Sequence, residues 1–433
     1  MRVLIISHNV ISETNNMGKT LLSYFQDFSP DEVAEFYIQE KEPKNASVCR
    51  SFFRVTDRDA LKSVFGKRVG TELTLDGSVE ETVIEAKGAV EAIRQYGRKR
   101  NSIVFALRNS IWALSHWNTR ALRDWLGRFD PEVIFFLAGD YAFMFDMALT
   151  IRDYLQKPMV VCCVDDYIFY NVNEDSALGR LEHRAYMKSV RRVMEKAYCV
   201  LTISDSLSEA YHEQFGKPCY TLHTNAKRRE SRPAVEGGKV AYFGNLGYLR
   251  REPLIEIGRA VRDIGLDGFD GIDVYSAEKN PENLRGLTEE NGVRFRGEIP
   301  PAEVGPKMDE CVAIIHTEAF NETTQKMVKY SVSTKIADAL LNGPCLIAYG
   351  PEGIASIDYL REHRAAYVIT RPEDLRSGLR EILTDAALRG EIVRNARALA
   401  ARNHDATIYP KRVRGWLQEA IDAAQTDAAE TGK

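Results

Sequence analysis

The chain has 433 residues, a length that suggests two or three domains of ordinary size. Hydrophobic residues make up 44% and charged residues 28%, which predicts packed cores and excludes a largely disordered chain. The net charge of −4 gives no overall attraction to nucleic acid, so we expect no nucleic-acid partner.

The cysteines and the apolar segments indicate the compartment. Seven cysteines are scattered without CxxC pairs or Cys/His clusters, which argues against a disulfide framework and a structural zinc site and fits a reducing compartment. The apolar start turns polar too soon for a signal peptide. The sequence also contains no run of about 18 apolar residues, so we expect no membrane-spanning helix. We therefore expect a cytoplasmic protein without a bound metal, with contact to the inner face of the membrane as an additional hypothesis.

The N-terminal half alternates short apolar runs with helical patterns, which is typical of a parallel sheet covered by helices. The first strand is predicted at residues 3–7, and Gly18, before the next helix, would let a ligand approach the backbone closely. Residues 30–97 are predicted to be rich in loops, apart from a strand at 35–38 and a helix at 83–93. Further strands are predicted at residues 133–137, 158–164, 198–204 and 219–222.

The segment Arg98–Arg128 combines apolar residues at helical spacing with many arginines, and it includes Trp112 and Trp117. One interpretation is a basic amphipathic helix that lies on an anionic membrane. The alternative is a helix that packs its apolar side against the core and leaves its basic side in water.

Two adjacent carboxylates, Asp165 and Asp166, follow the predicted strand at 158–164. Open α/β sheets place their ligands at the carboxyl ends of strands. The pair could bind a metal, act as a base or orient an acceptor hydroxyl. The structural alternative is that these residues cap the turn, because Asp is common at such positions.

A polar segment with proline and glycine at residues 227–238 is the strongest linker signal in the chain. Domains are predicted at residues 1–230 and 237–405, with a helix at about 411–425 that packs back on the first domain. The alternation of strands and helices on both sides of the linker indicates an α/β fold, with two doubly wound sheets that face each other across a cleft. Strands of the second domain are predicted at residues 239–243, 272–275, 293–296, 312–316 and 345–349.

The first turn of the second domain is a candidate anion site. Gly244 and Asn245 follow a predicted strand, and Arg250 and Arg251 stand near the start of the next helix. Glycine, free backbone N–H groups and arginines suit a phosphate. A GxGxxG motif is absent, so the sequence shows no NAD fingerprint here.

The strongest functional signal is the segment 331–344, which reads as a loop, a short helix and a stop at Gly343-Pro344. Ser333 or Thr334 could cap the helix. Lys335 in the first turn opposes the helix dipole, a cost that a bound anion would remove. Asp338 on the same helix could accept hydrogen bonds from a sugar hydroxyl, so a nucleotide would fit with its phosphate at the helix start.

The order of these segments resembles a GT-B glycosyltransferase, most closely the family 4 type of bacterial polysaccharide clusters. The resemblance covers nearly the whole chain. Its motifs are residues 130–134, 201–204, 242–246, 293–299 and 333–344, together with Asn225. It implies a GT-B fold of two Rossmann-like domains and transfer of a sugar from a UDP- or GDP-type nucleotide donor to a saccharide or lipid-linked acceptor, without a tightly bound cofactor.

The resemblance also implies roles for individual residues. The donor diphosphate would meet Ser333, Thr334 and Lys335, together with Arg250 or Arg251. Asp338 would hold the donor ribose, and Gly18 would lie near the reacting sugar. Gly297, Glu298 and Ile299 would lie beside the base.

The sequence departs from the family pattern at two places. Tyr330 stands where the family has the first glutamate of a motif that contacts the sugar ring, and Val164-Asp165-Asp166 replaces a common histidine. The resemblance implies a retaining hexosyltransferase, which is the main hypothesis. The alternatives are a GT-B sugar-nucleotide epimerase and a non-catalytic nucleotide-binding subunit of a polysaccharide assembly complex.

Overall fold

The computed structural model of the protein describes residues 1–12, 16–43, 47–74, 102–170, 176–229 and 238–431. The chain divides into two compact units. Unit 1 consists of Met1–Leu222 and Tyr409–Lys433, and unit 2 of His223–Ile408. The helix predicted at 83–93, the basic residues 98–100 and most of the predicted linker lie outside the described residues.

Unit 1 contains an eight-stranded sheet in the order β4-β3-β2-β1-β5-β6-β7-β8. All pairs are parallel except the edge pair β3–β4, which is antiparallel. The strands are β1 (Val3–Ser7), β2 (Val33–Tyr37), β3 (Ser51–Arg54), β4 (Thr71–Thr74), β5 (Val133–Ala138), β6 (Met159–Cys163), β7 (Cys199–Thr202) and β8 (Cys219–Thr221). The described helices before residue 222 are α1 (Asn16–Tyr24), α2 (Asp57–Val64), α3 (Ser102–Leu114), α4 (Arg120–Phe129), α5 (Ala142–Leu155), α6 (Ala177–Lys196) and α7 (Asp205–Phe215).

The central strands of unit 1 are continuous apolar runs because helices cover both faces of the sheet. Every residue of β1, β2, β5 and β6 is buried. The sheet reverses its direction of growth at β1, which pairs with β2 on one side and β5 on the other. This reversal confirms the doubly wound arrangement predicted for the first half of the chain.

Glu35 is a charged residue type in the middle of this buried sheet. It is fully buried in β2, and burial raises the pKa of its carboxyl to about 8. Ser7 Oγ lies 2.7 Å from Glu35 Oε1 and 2.9 Å from the Asn9 carbonyl oxygen, and Ile11 N–H donates to Glu35 Oε2 at 2.9 Å. A protonated Glu35 suits this set, because it can donate to Ser7 while Ser7 donates to Asn9.

We expect Glu35→Gln to make the protein more stable at alkaline pH. The folded chain keeps a proton on Glu35 that the unfolded chain releases above about pH 4.5, so stability falls as pH rises from about 4.5 to 8. Glutamine supplies the same donor and acceptor without a charge, and it should add about 4 kcal/mol at pH 8 but only about 1 kcal/mol at pH 5. Urea unfolding followed by circular dichroism at both pH values measures the difference, and an equal effect at the two pH values would contradict it.

The tryptophans of the segment Arg98–Arg128 belong to the core of unit 1. Trp112 is 2% exposed and Trp125 is 2% exposed, and their indole N–H groups donate to Asp57 Oδ1 and Ser51 Oγ at 2.7 and 2.9 Å. The Trp117 ring packs on Phe36 with centroids 6.0 Å apart. The core-facing alternative therefore describes these residues, and the tryptophans are not available to a membrane.

The prediction that residues 30–97 are mostly loop was wrong for their described part. The chain there forms β3, α2 and β4 in addition to β2. A capping box starts α2, in which the Thr56 side chain accepts from Asp59 N–H and the Asp59 carboxylate accepts from Thr56 N–H. All four residues of β4 are polar or partly exposed, as expected for an edge strand.

Unit 2 contains a six-stranded parallel sheet in the order β11-β10-β9-β12-β13-β14, the 3-2-1-4-5-6 order of a doubly wound fold. Its strands are β9 (Lys239–Phe243), β10 (Ile272–Tyr275), β11 (Val293–Gly297), β12 (Cys311–Thr317), β13 (Cys345–Tyr349) and β14 (Tyr367–Ile369). Its described helices are α8 (Arg251–Ile264), α9 (Pro281–Leu284), α10 (Pro301–Asp309), α11 (Glu322–Val328), α12 (Lys335–Asn342), α13 (Ala355–Glu362), α14 (Leu375–Thr384) and α15 (Ala386–Asn403).

The last helix, α16 (Ile408–Thr431), returns the chain to unit 1. Arg414 forms two hydrogen bonds with the Glu32 carboxylate, at 3.1 and 2.9 Å, and its guanidinium lowers the pKa of Glu32 to about 2. The Trp416 ring stacks on Tyr220 at 5.2 Å. None of the helices in the described part of the chain is both long enough and apolar enough to span a bilayer.

Candidate active site in unit 2

A cavity of about 630 Å³ opens at the carboxyl ends of the unit 2 strands. Its walls include the ends of β9, β10 and β12, the residues that follow β11, and one side of α12. The strand order reverses between β9 and β12, and open α/β sheets bind their ligands in the crevice at such a reversal. The volume is in the range of small-molecule sites.

Lys335 is the first residue of α12 and lines this cavity. Its side chain is exposed, and within the residues that the structure describes its ammonium forms neither an ion pair nor a hydrogen bond. Desolvation and the nearby Arg250 lower its pKa, and Glu318 partly offsets them. The helix dipole also disfavours a cation at this end, so an anion placed here would relieve each of these costs.

Of the two hydroxyl residues before α12, Ser333 and Thr334, the structure excludes Thr334 as the helix cap. Thr334 has a helical backbone (φ −57°, ψ −23°) and its side chain accepts no capping hydrogen bond. Side-chain caps need an extended backbone, so the prediction that Thr334 could cap the helix was wrong. Ser333 Oγ accepts from Lys335 N–H at 3.4 Å, and Ser333 lines the cavity.

Arg250 lines the same cavity as Lys335 and is held by a largely buried ion pair. Its guanidinium donates to both carboxylate oxygens of Glu318, at 3.1 and 2.8 Å, and to Asn245 Oδ1 at 3.1 Å. The Arg250 side chain is 15% exposed and that of Glu318 is 3% exposed. Burial raises the pKa of Glu318, and Arg250 and Lys335 act against that rise. The bidentate contact fixes the arginine in one orientation at the cavity wall.

The loop before Arg250 has a constrained backbone. A side chain at Gly244 would collide with the Tyr242 ring, whose hydroxyl donates to the Asn245 carbonyl at 2.6 Å. Tyr248 and Leu249 both adopt left-handed conformations, with φ of 59° and 57°. Such backbone costs about 1 kcal/mol or more per residue and is concentrated at functional sites.

His316 supplies a neutral polar group to the cavity that Arg250 and Lys335 also line. It is the last but one residue of β12, is buried and lines the cavity, and its Nε2 lies 2.9 Å from Ser356 Oγ. Burial and the charges of Arg250 and Lys335 lower its pKa to about 3, so the ring is neutral at physiological pH. It can therefore accept or donate one hydrogen bond without adding charge.

Asp338 lies one turn after Lys335, on the same side of α12, and also lines the cavity. Burial raises the pKa of its carboxyl, and Arg229 and Asn342 oppose the rise. Asn342 in turn accepts from Arg229 N–H at 2.9 Å and donates to the Lys227 carbonyl at 2.9 Å. These contacts tie the end of α12 to the segment that enters unit 2.

The other part of the cavity is apolar and aromatic. Phe243 and Tyr275, at the ends of neighbouring strands, stack with centroids 4.9 Å apart and planes only 3° from parallel. Val304, Met308 and Leu346 line the same cavity. A ligand with a charged end and a flat ring would match the two parts.

The structure brings together most of the residues predicted for a donor site. Arg251 lies outside the cavity lining, and its guanidinium donates to the Glu282 carbonyl. Thr334 and Tyr330 are also outside the lining, and the Tyr330 ring faces the Lys329 ammonium at 5.0 Å. The predicted residues that line the cavity are Gly244, Asn245, Arg250, Glu298, Ile299, Ser333, Lys335 and Asp338.

The remaining predicted residues belong to unit 1. Gly18 is buried in the first turn of α1, whereas the prediction placed it before the helix. Asp166 Oδ1 accepts from the backbone N–H groups of Ile168 and Phe169, at 3.0 and 2.9 Å. Asp165 Oδ1 accepts from Asp166 N–H at 2.9 Å. These contacts match the turn-capping alternative for the pair. The described residues contain no cluster of three metal-ligating side chains.

Sequence reasoning missed Glu318 and did not assign His316 to the site. A signal was present, because both residues stand at the carboxyl end of a strong predicted strand, where ligands bind. The partner of Glu318 could not be read, since Arg250 is 68 residues away in sequence.

No protein-family model matches the sequence, and a search of curated proteins finds no match. Among solved structures, the chain is similar to sucrose-phosphate synthase from Thermosynechococcus elongatus, with 10% identity, a TM-score of 0.60, and coverage of 98% of this chain and 100% of that chain. It is also similar to Anabaena HepE in complex with UDP-glucose (11% identity, TM-score 0.57, 97% and 100% coverage). A third similar structure is an α,α-trehalose-phosphate synthase from Burkholderia xenovorans in complex with glucose-6-phosphate (11% identity, TM-score 0.54, 96% and 100% coverage). These similarities confirm the GT-B fold predicted from the sequence.

Proposed function

We propose that this GT-B chain is a glycosyltransferase that moves a hexosyl group from a UDP- or GDP-sugar to a saccharide or lipid-linked acceptor. The main support is the cavity in unit 2, where Lys335 at a helix start and Arg250 face the space that a diphosphate would fill. One protein of the same fold, Anabaena HepE, binds UDP-glucose. Residues 237–405 would form the donor-binding domain and residues 1–230 the acceptor side.

The donor would extend along the cavity from α12 to the aromatic wall. Its diphosphate would accept from Lys335 and from backbone N–H groups at the start of α12, and its ribose would bind Asp338. Its base would lie near Glu298, Ile299 and the ring of Tyr275. Arg250 would complete the charge around the phosphates.

The proposed reaction breaks the bond between the anomeric carbon and the diphosphate oxygen. Negative charge grows on the phosphate while the sugar becomes oxocarbenium-like. The acceptor hydroxyl oxygen forms the new bond and gives its proton to a base, for which the Asp165 carboxylate is the candidate. Lys335, Arg250 and the helix N–H groups would stabilise the charge on the leaving diphosphate. Such electrostatic stabilisation of the transition state is the largest single contribution to the rate in many enzymes. No metal is needed for this role when fixed cations occupy it.

Gly18, Asp165 and Asp166 remain the candidates on the acceptor side. The carboxylate of Asp166 is engaged with two backbone N–H groups, so its proposed role is to hold the loop that presents Asp165 to an acceptor hydroxyl. Retention of the anomeric configuration, and a place in bacterial cell-surface polysaccharide synthesis in the cytoplasm, follow from the resemblance to family 4. We include retention and this cellular role in the proposed function.

A screen of nucleotide sugars by thermal shift and mass spectrometry tests the proposal. A donor at a hundred times its Kd should stabilise the protein by about 2.7 kcal/mol, and free UDP or GDP should also bind. Transfer to an added acceptor supports a glycosyltransferase. A changed sugar without any acceptor would indicate an epimerase instead, and no binding to any nucleotide would indicate a non-catalytic subunit.

We expect Asp338→Ala to weaken donor binding about tenfold, because one hydrogen bond to a charged acceptor contributes about 1.5 kcal/mol or more. The melting temperature without ligand should change little, since alanine is a good helix former and removes a carboxylate whose charged form is already disfavoured. Isothermal calorimetry with the nucleoside diphosphate measures the loss. Donor affinity equal to that of the unmodified protein would exclude the ribose role.

A further inference from the structure

Large apolar side chains are exposed mainly on one part of unit 1. Among the described residues, ten such side chains are more than a third exposed, and seven of them belong to α2 with its C-cap, to α3 and to the first turns of α6. Scattered exposed apolar residues are normal, but seven on three helices are not. The seven are Leu61, Phe65, Ile103, Leu107, Leu114, Leu178 and Leu181.

These residues share one face on each helix, and the three helices adjoin. Ile103, Leu107 and Leu114 are four and seven residues apart, which places them on one side of α3. That helix contacts both α2 and α6. Trp112 Nε1 donates to Asp57 at the start of α2, and Asn109 Nδ2 donates to Glu182 of α6 at 2.9 Å. The seven side chains thus belong to adjoining surfaces, which we call the α2–α3–α6 face.

Exposed basic residues lie on α2, in the turn after it and on α6, the elements that also carry exposed apolar side chains of this face. On α6 they form a row at spacings of three and four, although the whole chain has a net charge of −4. The acidic side chains of these helices are largely engaged. Asp57 bonds to Arg108 and Trp112, and Glu182 bonds to Asn109. The exposed basic residues are Arg58, Lys62, Lys67, Arg68, Arg180, Arg184, Lys188 and Arg191.

We propose that the α2–α3–α6 face docks on the surface of an anionic phospholipid bilayer. Leucine and phenylalanine side chains enter the interface while lysines and arginines meet the headgroups, the composition expected of interfacial helices. A second copy of the chain fits the face poorly, because a two-fold contact would bring basic residues opposite basic residues. The inference extends the proposed function to a lipid-linked acceptor, but it does not depend on donor binding.

Vesicle flotation of the full chain tests the proposal without any nucleotide. We expect the protein to float with phosphatidylcholine vesicles that contain phosphatidylglycerol, and not with phosphatidylcholine alone. Arg184→Glu/Lys188→Glu should reduce the partition coefficient at least about twentyfold, because each basic residue near the surface contributes about fivefold to binding. Leu107→Ser/Leu114→Ser, which leaves the charge unchanged, should reduce it about tenfold.

Matched variants on other helices show whether vesicle binding depends on the α2–α3–α6 face or only on the total charge and the exposed apolar area of the protein. Arg394→Glu/Arg402→Glu on α15 makes the same charge change on exposed arginines, and Tyr154→Ser removes an exposed apolar group from α5. Both should float like the unmodified protein, and circular dichroism checks that all variants are folded. Failure of the intact chain to float, or equal losses in the matched variants, would overturn the proposal. So would a dimer that the serine variants dissociate while vesicle binding stays unchanged.

Discussion

Replacing Lys335 with alanine is expected to lower kcat/KM for sugar transfer about a hundredfold, or about 3 kcal/mol of transition-state stabilisation. The ammonium stands at the start of α12 on the cavity wall, without an ion-pair partner among the described residues. It is therefore available to the charge that grows on the leaving diphosphate. Steady-state kinetics with a donor found in the nucleotide-sugar screen measure the loss.

The same variant should be as stable as the unmodified protein or slightly more stable. Lys335 opposes the helix dipole, and desolvation lowers its pKa, so alanine removes an unfavourable charge worth up to about 1 kcal/mol. Lys326→Ala on α11 is the control, since Lys326 is exposed and outside the cavity lining. Transfer at the unmodified rate by the Lys335 variant would rule out the proposed mechanism.

The pH dependence of transfer should reflect this lysine as well. If the ammonium is the active form, activity falls as pH rises through its pKa. That pKa is lowered in the free protein, so the decline should begin below the usual range for lysine. The bound diphosphate favours the charged form, and the decline in kcat should therefore lie at higher pH than the decline in kcat/KM.

Local signals in the sequence were sufficient to predict α12 and its cation. Gly343 and Pro344 end the helix, and an apolar run forms β13 after it, as predicted. The pattern could not show which of two hydroxyls caps the helix. That depends on the backbone. Thr334 already has helical angles, and the Ser333 carbonyl oxygen accepts from Ile336 N–H at 3.0 Å, so Ser333 stands at the capping position.

Short and polar elements could not be predicted from periodicity. The strands β3 and β4 have four residues each, too few to show a reliable alternation, and β4 lies at an exposed edge. The tryptophans illustrate a second limit. An amphipathic pattern gives the same signal for a helix on a core and a helix on a membrane, and only the contacts of Trp112 and Trp125 show that these two side chains belong to the core.

Long-range pairs are the third limit. The sequence marked Arg250 and Arg251 as equivalent candidates, and the structure distinguishes them by their partners. Arg250 is paired with Glu318 at the cavity, whereas Arg251 donates to the Glu282 carbonyl. Because such pairs form between distant segments, a single sequence contains no pattern that identifies them.

Replacing Arg250 with methionine is expected to destabilise unit 2 by about 3–5 kcal/mol and to reduce transfer at least a hundredfold. The change leaves the Glu318 carboxylate buried without its bidentate partner. Part of the cost should be relieved at low pH, because a lone buried carboxyl binds a proton more tightly. Urea unfolding at two pH values measures the destabilisation.

The double variant Arg250→Met/Glu318→Gln separates the structural contribution of this pair from its chemical one. Removing both charges together should restore most of the lost stability, since neither partner is then buried alone. Transfer should remain at least about a hundredfold below that of the unmodified protein, because the cation is still missing from the diphosphate site. Recovery of transfer along with stability would mean that Arg250 only holds the loop from Gly244 to Leu249 in place, and that Lys335 and the helix N–H groups stabilise the leaving group without it.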